Sequence, residues 1–354
     1  MGKYRIFFAG NPFGNGGPWE VNKTYVEHLH GRVSHLTMSF PLFQFPEILL
    51  KLLFCRVIIF SGVRNIDHFL LPLCRFFHKK ILFIMHGCLA YEDAQNHYDN
   101  PRGERNEALL LQNAHQILCV SEPYRQWVSD HYPHYAAKMA TLTNGINWRH
   151  FDKHFGKLSD RYEAAGHFDR LSDRAPRDPR RIILLGGGRV TKHNLEVCQA
   201  VARLNETRTE PYHIDIYGPF FANDHSALLQ AQPYTTWHGV VSHEALLQAL
   251  RESALFIQNS TFEPFSLGVV EALVCGCSVL LSVHVGARDI LPALTEADLI
   301  TDPTDPQRLA RQIEQVLQTG NNQRLLASID REATSCEAAA DRLYQMATKL
   351  CNQP

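Results

Sequence analysis

The stretch from Asn259 to Leu291, NSTFEPFSLGVVEALVCGCSVLLSVHVGARDIL, decides the fold because it predicts a helix between two apolar strands. Ala254–Gln258 and Ser278–Val283 are short apolar runs, which is the pattern of buried parallel strands. The segment Ser266–Cys275 between them is predicted to be a helix, and Gly276 follows at the position where helices commonly end. The order of strand, turn, helix and strand is typical of an α/β protein.

Two glutamates lie around the start of the predicted helix. Glu263 falls in the turn, and Glu271 lies about a turn and a half into the helix at roughly 3.6 residues per turn. The free backbone N–H groups of Ser266, Leu267 and Gly268 carry partial positive charge and favour a phosphate. A diphosphate would repel a carboxylate, so we expect Glu271 to face sugar hydroxyls instead. This arrangement predicts a nucleotide-sugar site.

The segment resembles the Glu-x7-Glu motif of retaining glycosyltransferases of the GT-B fold, especially family 4, the bacterial glycosyl transferases of group 1. The resemblance implies that Glu271 binds the ribose hydroxyls and that Glu263 lies beside the transferred sugar. It also implies that backbone amides around Phe265, Ser266 and Leu267 hold sugar hydroxyls and the distal phosphate. For an isolated Glu-x7-Glu pair, a solvated helix carboxylate and a turn glutamate are the alternative, so other segments must decide.

A second segment, Arg181–Arg189, RIILLGGGR, is an apolar strand that runs into three glycines, and a helix is predicted from about Asn194. It resembles the "GR…K" element of the family, which implies that Arg189 and Lys192 neutralise the two donor phosphates. Fixed cations suit this reaction because the leaving diphosphate gains negative charge as the glycosidic bond breaks. A glycine-rich strand end of any α/β domain is the alternative.

The amino-terminal segment begins in a similar way. Tyr4–Ala9 is an apolar run, followed by a loop, GNPFGNGGP, that enters a predicted helix near Pro18 or Trp19. The loop fits neither G-x-G-x-x-G nor G-x-x-x-x-G-K, which disfavours a dinucleotide or ATP site. It resembles the first glycine loop of the family, which implies that Gly16 and Gly17 allow close approach of the donor diphosphate and the acceptor.

Two more strand ends carry candidate residues. His86 follows the apolar run Ile81–Met85, and the matching family position implies a hydrogen bond to a hydroxyl of the donor sugar. Tyr217 and Gly218 end the run IDIYG, which resembles the strand that approaches the nucleobase. A lone histidine is more often an ordinary core or surface residue. Both assignments therefore depend on the fold.

Two further segments, one that matches the family pattern and one that departs from it, concern the identity of the donor. The segment 237–244 resembles the next nucleotide-side element of the family. By contrast, Gly286–Asp289 has the sequence GARD where the family usually has two glycines and a glutamate. This departure leaves the donor sugar open.

Strand-like runs alternate with helical stretches along the chain, which predicts parallel sheets covered by helices. These runs are 4–9, 57–60, 81–85, 116–120, 182–185, 213–217, 254–258 and 278–283. A length of 354 residues, with 45% hydrophobic and 20% charged residues, suits two globular domains.

The GT-B resemblance implies two Rossmann-like domains whose parallel sheets face each other across a cleft. Residues 1–150 are the predicted acceptor-side domain, and 181–330 the predicted nucleotide-sugar-binding domain. The charged region 151–180 would link them. Leu325–Leu350 is predicted to be helical, and the segment 331–354 to cross back onto the first domain.

Charge and cysteine usage exclude several protein classes. A net charge of −1 argues against nucleic-acid binding. Nine cysteines without paired C-x-x-C spacing, in a chain without a signal-peptide pattern, predict free thiols and a cytoplasmic location. The chain has neither H-E-x-x-H nor D-x-D, so we expect no metal and no bound cofactor. The donor substrate would be a nucleoside diphosphate sugar, with a UDP-sugar favoured.

The amino-terminal half is mildly basic, with 15 Lys and Arg against 11 Asp and Glu in residues 1–150. Pro46–Arg56, PEILLKLLFCR, and Phe69–Lys80, FLLPLCRFFHKK, mix apolar and basic residues. This composition favours peripheral contact with the inner membrane surface. Ordinary helices that cover a sheet are the alternative, and neither segment has the roughly 20 apolar residues of a spanning helix.

These observations predict a retaining glycosyltransferase that moves a hexose-type sugar to a hydroxyl of a bacterial surface glycan of the lipopolysaccharide, O-antigen or capsule type. One alternative is a catalytically silent nucleotide-sugar-binding subunit of a glycan-assembly complex. Another is a nucleotide-sugar epimerase or a glycoside phosphorylase on the same fold. The sequence does not specify the nucleobase, sugar, linkage, acceptor or oligomeric state.

Overall fold

The computed structural model describes residues 5–14, 17–155, 177–221 and 224–353. The chain divides into two compact units, one formed by Met1–Asn147 with Arg331–Pro354 and the other by Trp148–Asp330. Each unit contains one six-stranded sheet whose strand pairs are parallel. The predicted α/β class with two parallel sheets is confirmed.

The sheet of the first unit has the strand order β2-β1-β3-β4-β5-β6. Its strands are β1 (Ile6–Phe8), β2 (Ser34–His35), β3 (Val57–Ser61), β4 (Lys80–Met85), β5 (Gln116–Cys119) and β6 (Met139–Thr141). The helices that follow them along the chain are α1 (Gly17–His28), α2 (Pro41–Phe54), α3 (Asp67–Phe76), α4 (Leu89–Asn96), α5 (Pro101–Asn113) and α6 (Glu122–His131). Strand β3 is buried along its whole length, as expected for a central parallel strand.

The second unit has the strand order β12-β11-β10-β7-β8-β9. Its strands are β7 (Asp178–Leu185), β8 (His213–Tyr217), β9 (Thr235–Gly239), β10 (Ser253–Gln258), β11 (Ser278–Ser282) and β12 (Leu299–Ile300). Its helices are α7 (Trp148–Phe155), α8 (Asn194–Asn205), α9 (Asp224–Gln230), α10 (His243–Glu252), α11 (Leu267–Cys275), α12 (Pro306–Thr319) and α13 (Asn322–Ser328).

The strand order of the second unit fixes where a ligand would bind. Counted within the unit, it is 3-2-1-4-5-6, the order of dinucleotide-binding Rossmann folds, and it reverses between β7 and β10. Ligands of such sheets bind outside the carboxyl ends of the strands at this reversal, called the switch point. One face of the sheet is closed by a buried apolar cluster that includes Ile182, Val197 and Ile313.

The carboxyl-terminal segment corrects one prediction. Leu325–Leu350 is not a single helix, because α13 ends at Ser328 and a last helix, α14 (Cys336–Asn352), begins after a break. In the break the Thr334 carbonyl accepts the Ile146 N–H at 2.8 Å, and the Ile146 carbonyl accepts the Cys336 N–H at 3.2 Å. Tertiary pairing therefore overrides the local helical pattern.

Helix α14 belongs to the first unit, where it packs against α1 and the strands β1, β3 and β4. The segment after the break thus returns to the amino-terminal sheet, as the GT-B resemblance implied. The helix is started by Ser335, whose Oγ accepts the Ala338 N–H at 3.1 Å. Residues 156–176, most of the predicted linker, lie outside the described residues, and the predicted domain boundaries stay predictions.

Candidate functional site

The loops that follow β7 and β10 meet at the switch point of the second unit. The Thr261 N–H donates to the Thr191 carbonyl at 3.0 Å, and the Asn259 side-chain amide donates to the His193 carbonyl at 3.2 Å. These bonds join residues about 70 positions apart in the chain. They hold the predicted phosphate-binding loop against the turn that carries the first glutamate.

Lys192 and Glu263 form an ion pair at this place. Both side chains are largely buried, with 12% of the lysine and 16% of the glutamate exposed. The Gln258 side-chain amide also donates to the paired Glu263 oxygen at 3.3 Å. Removing one partner of such a pair leaves a partly desolvated charge uncompensated, which is costly. The pair places one fixed cation and one fixed carboxylate together at the switch point.

Arg189, the other predicted phosphate ligand, is exposed. Within the described part of the chain its side chain makes no hydrogen bond or ion pair, in contrast to Lys192. Its backbone N–H donates to the Gly186 carbonyl at 3.4 Å, which closes the glycine turn. The structure therefore brings Lys192 to Glu263 but leaves the Arg189 side chain in solvent.

The three glycines after β7 allow close backbone approach to the loop after β8. The Gly187 N–H donates to the Tyr217 carbonyl at 3.0 Å, and the Gly188 N–H to the Pro219 carbonyl at 3.2 Å. Gly187 has a φ of +57°, and a Cβ atom there would lie 2.3 Å from the Pro219 carbonyl oxygen. A larger residue cannot occupy this position without moving backbone. The glycine run is thus required by packing between two strand ends.

Tyr217, predicted to lie near the nucleobase, is buried, and burial raises its pKa. Its ring stacks on the His238 ring, with centroids 4.6 Å apart and 8° between the planes. His238 Nε2 lies 2.6 Å from Asp215 Oδ1. Burial alone would raise the pKa of Asp215, but hydrogen bonds from His238 and Arg181 lower it. Tyr217 is therefore fixed by a neighbouring charged cluster, and Gly218 follows it with a φ of +130°.

Helix α11 begins beside the ion pair. Ser266 precedes it with a left-handed φ of +78°, and Leu267 is its first residue. Phe265 is buried, and its carbonyl accepts the Ala287 N–H at 2.6 Å. A Cβ atom on Gly268 would lie 2.8 Å from the Leu185 side chain, so the glycine lets the helix start approach the end of β7.

Glu271 lies in the second turn of α11 and is paired with a histidine of the neighbouring helix α10. The distance from His243 Nε2 to Glu271 Oε1 is 2.9 Å. The Glu271 side chain is 16% exposed, whereas that of His243 is 49% exposed. Glu271 and Glu263 thus have different partners, one a histidine and the other a lysine.

The loop after β11 also contacts the turn of Glu263. The Gly286 N–H donates to the Glu263 carbonyl at 2.9 Å, and Glu263 forms an isolated parallel bridge with Val285. Gly286–Ile290, which contains the GARD departure, forms a short 3-10 helix. Glu263, in the loop after β10, is therefore contacted by the loop after β7 through its side chain and by the loop after β11 through its backbone.

In the first unit, His86 follows β4 and lies next to the end of β3. Its Nε2 is 2.8 Å from Ser61 Oγ. Burial lowers the pKa of His86 to about 4, so the imidazole is neutral at pH 7. A neutral imidazole both donates and accepts hydrogen bonds. Gly17 is the first residue of α1, and Gly16 lies outside the described residues.

No role was assigned from the sequence to the partners of these side chains. They are Ser61, His243 and Gln258. The only available signal was that His243 lies in the segment resembling a nucleotide-side element. All nine cysteines are buried and free. No group of three or more His, Cys, Asp or Glu side chains suited to a metal occurs among the described residues, and metal independence stays a prediction.

Comparison with known structures defines the fold. A crystal structure of Anabaena Alr3699/HepE in complex with UDP and glucose has a TM-score of 0.64 at 15% identity, over 97% of this chain and 99% of that chain. Sucrose-phosphate synthase (tll1590) from Thermosynechococcus elongatus has a TM-score of 0.68 at 19% identity, over 98% and 99%. A glycosyltransferase from Rickettsia africae ESF-5 has a TM-score of 0.65 at 14% identity, over 99% and 100%. At these identities the likeness shows the fold, which is GT-B.

The sequence of the second unit gives a family match. The family model described as Glycosyl transferases group 1 matches residues 168–333, somewhat less than half of the chain. The resemblance drawn from the Glu-x7-Glu segment is confirmed at this level. A comparison with curated protein sequences gave no match.

Proposed function

We propose that the protein is a retaining, family 4-like glycosyltransferase that moves a hexose-type sugar from a UDP-sugar to a hydroxyl of a bacterial surface glycan. The observation that carries this proposal is the Lys192–Glu263 pair at the switch point of a group 1 glycosyltransferase domain. The Anabaena protein of the same fold was crystallised with UDP and glucose, which supports UDP as the nucleotide.

The mechanism follows from the charges at the switch point. The leaving diphosphate gains negative charge, and Lys192, with Arg189 from solvent, would stabilise it. Lys192 is paired with Glu263, and a donor phosphate that binds the ammonium would free the carboxylate to hydrogen-bond the sugar. Glu263 thus has a positioning and electrostatic role.

Sugar transfer would then need little protein acid or base chemistry. Bond cleavage gives an oxocarbenium-like sugar, the acceptor hydroxyl attacks the same face, and a leaving phosphate oxygen takes the hydroxyl proton. Glu271 would hold the ribose diol, and the backbone amides of Phe265, Ser266, Leu267 and Gly268 would contact the sugar and distal phosphate. Tyr217 and Gly218 would border the nucleobase, and neutral His86 would bond a sugar hydroxyl, with Gly16 and Gly17 beside the diphosphate.

The proposal includes a cytoplasmic enzyme whose acceptor is a glycan or glycolipid. Among the described residues, no helix combines the length and apolar character needed to cross a bilayer. Peripheral contact with the inner membrane surface is part of the proposal and is argued separately below.

Donor binding and product stereochemistry test this function. Purified full chain is mixed with UDP-, GDP- and ADP-sugars, and thermal unfolding is followed. A UDP-sugar at about 100 times its dissociation constant should stabilise the fold by roughly 2.7 kcal/mol. Slow release of UDP from the stabilising donor, with the anomeric configuration retained in an NMR spectrum of the sugar product, supports the proposal.

The alternatives give different outcomes in the same experiment. Stabilisation without any release of UDP, with or without acceptor, identifies a silent nucleotide-sugar-binding subunit. Conversion of the sugar while it stays attached to the nucleotide identifies an epimerase. An inverted anomer refutes the retaining mechanism.

A further inference from the structure

The outer faces of α2 and α3 are apolar and exposed to solvent. On α2, Phe43, Leu53 and Phe54 are each more than half exposed. On α3, Phe69 is 59% exposed and Phe76 is 75% exposed. Large apolar side chains that are exposed singly are common on protein surfaces, but a contiguous group of them marks an interaction site.

The exposed side chains form a stripe on each helix. On α2, Phe43, Pro46, Leu50 and Leu53 are exposed at intervals of three and four residues, which places them on one face. On α3, Phe69 and Phe76 are seven residues apart and share a face in the same way.

Both stripes lie on the same side of the first sheet. Helix α2 connects β2 to β3, and α3 connects β3 to β4, so both crossovers run in one direction along the order β2-β1-β3-β4. Right-handed crossovers in one direction place their helices on one face of a parallel sheet. We call the outer faces of α2 and α3 together the α2–α3 surface.

These helices are also apolar on their inner sides. Ile48 and Leu52 of α2 and Leu70 and Cys74 of α3 are fully buried against the unit. A helix that is apolar on all sides is normally covered on all sides. Helix α12 shows the usual pattern of a covering helix, because its exposed residues are polar. They include Gln307, Arg308, Arg311, Gln315 and Gln318.

The charge around the α2–α3 surface is positive. Residues 41–80 contain six Lys and Arg and two acidic residues. One acidic residue, Asp67, is fully buried, and the other, Glu47, is paired with Lys51. The exposed Arg75 lies beside Phe76 at the end of the α3 stripe. A surface that combines apolar rings with cations complements an anionic lipid surface in both respects.

A basic pocket of about 220 Å³ lies where both helices end. It is lined by Arg56, His78, Lys79 and Lys80, together with Phe77 after α3. The Lys79 ammonium donates to the Cys55 carbonyl at 2.6 Å, after the last residue of α2. In the part of the chain that the structure describes, the side chains of Arg56 and His78 make no hydrogen bond or ion pair. The pocket therefore holds a cation, the Arg56 guanidinium, that is available to an anion.

We propose that the α2–α3 surface docks on a membrane that contains anionic lipids. The phenylalanine and leucine side chains enter the boundary between headgroups and acyl chains, and the basic pocket contacts a headgroup phosphate. Lipid binding itself uses only the first unit. Its benefit to the reaction, access to a glycolipid acceptor, rests on the proposed function.

Vesicle sedimentation of the full chain tests the proposal. Wild-type protein should sediment with phosphatidylcholine vesicles that contain phosphatidylglycerol, much less with pure phosphatidylcholine, and less at high salt. The double variant Arg56→Gln, Arg75→Gln should weaken binding on the order of tenfold to thirtyfold, since each cation contributes separately. The double variant Phe43→Ser, Phe76→Ser should weaken binding on the order of tenfold or more.

Matched controls come from the second unit. Leu228 is an exposed apolar residue of α9, and Arg203 is an exposed cation of α8. The double variant Leu228→Ser, Arg203→Gln should sediment like the wild type. Thermal unfolding shows whether each variant is folded. A loss of vesicle binding by a folded variant can then be assigned to the α2–α3 surface.

Two results would overturn the proposal. One is the absence of wild-type binding to the anionic vesicles. The other is a wild-type dimer in sedimentation velocity that the Phe43→Ser, Phe76→Ser variant separates, which would assign the surface to a second copy of the chain. UDP-sugar stabilisation is measured on the same preparations. If the wild type does not bind vesicles but does bind the donor, only the proposed surface is refuted. If the wild type binds vesicles but no UDP-sugar stabilises it, only the proposed function is refuted.

Discussion

The two switch points of this molecule are built differently, although both belong to six-stranded parallel sheets. In the second unit, the loops after β7 and β10 hold the buried ion pair of Lys192 and Glu263. In the first unit, the order reverses at β1 and β3, and the end of β3 supplies Ser61 to the neutral His86. Under the proposed function, the second unit would bind the charged part of the donor, while the first would supply neutral hydrogen-bonding groups.

The largest effect on activity is expected at the switch point of the second unit, where Lys192 pairs with Glu263. Lys192→Ala should lower kcat on the order of 10²- to 10³-fold, because it removes a fixed cation from the leaving diphosphate. Arg189→Ala should cost less, because that side chain is in solvent. Initial rates of UDP release at saturating donor measure kcat for both variants.

Lys192→Arg serves as the control because it keeps the charge beside Glu263. It should retain more activity than Lys192→Ala at equal thermal stability. If Lys192→Ala turns over like the wild type, the switch point of the second unit does not stabilise the leaving group, and the contrast between the units is lost.

A smaller effect on activity is expected when Glu271 is changed. Glu271→Ala should raise the donor KM about tenfold or more with less change in kcat, because a hydrogen bond to a charged group contributes roughly 1.5–3 kcal/mol to binding in both ground and transition states. His243→Ala should shift KM in the same direction by a smaller factor, since His243 holds Glu271 at 2.9 Å without being needed for the ribose contact.

Rates measured against donor concentration separate the two parameters. Gln248→Ala, an exposed polar change on the same helix as His243, is the control and should leave KM unaltered. A Glu271→Ala enzyme with an unaltered donor KM would remove the ribose assignment.

The smallest effect is expected at His86, beside the switch point of the first unit, and it depends on pH. The folded pKa of His86 is lowered to about 4 from its ordinary value of 6.5, so the unfolded chain binds more protons between these values. Its contribution to stability is present above about pH 6.5 and is lost as the pH falls toward 4. His86→Gln should therefore show a weaker loss of stability over this range than the wild type.

Thermal unfolding at a series of pH values measures this difference. Gln318→Ala, an exposed change that removes no titratable group, is the control and should leave the wild-type pH dependence unaltered. Equal slopes for His86→Gln and the wild type would show that His86 is not held neutral. The proposed contrast between a charged site in the second unit and a neutral His86 in the first would then be wrong.

The eight strands predicted from the sequence correspond to eight of the observed ones, among them β4 and β10. The four strands that the pattern missed are β2, β6, β9 and β12, and these are the four edges of the two sheets. A central parallel strand is buried on both faces and gives a continuous apolar run, whereas an edge strand pairs on one side only. Strand β9, with the sequence TTWHG, has no such run.

Helix α11 was predicted to within one residue, because Gly276 ends it in the left-handed conformation expected of a helix terminus. The carboxyl-terminal helix was predicted without its break. Local pattern could not reveal the pairing of the break with Ile146, which depends on a contact between distant segments.

The sequence by itself determined the two α/β units, the glycine turns and the positions of both glutamates, one in the turn after a strand and the other within the following helix. Buried parallel strands and tight turns leave local signals, because they restrict residue type at each position. Only the tertiary structure decided that Lys192 pairs with Glu263 and His243 with Glu271, and that Arg189 stays in solvent. The pairing of Lys192 with Glu263 follows from strand order, which places β10 beside β7, and distance along the chain carries no information about that neighbour.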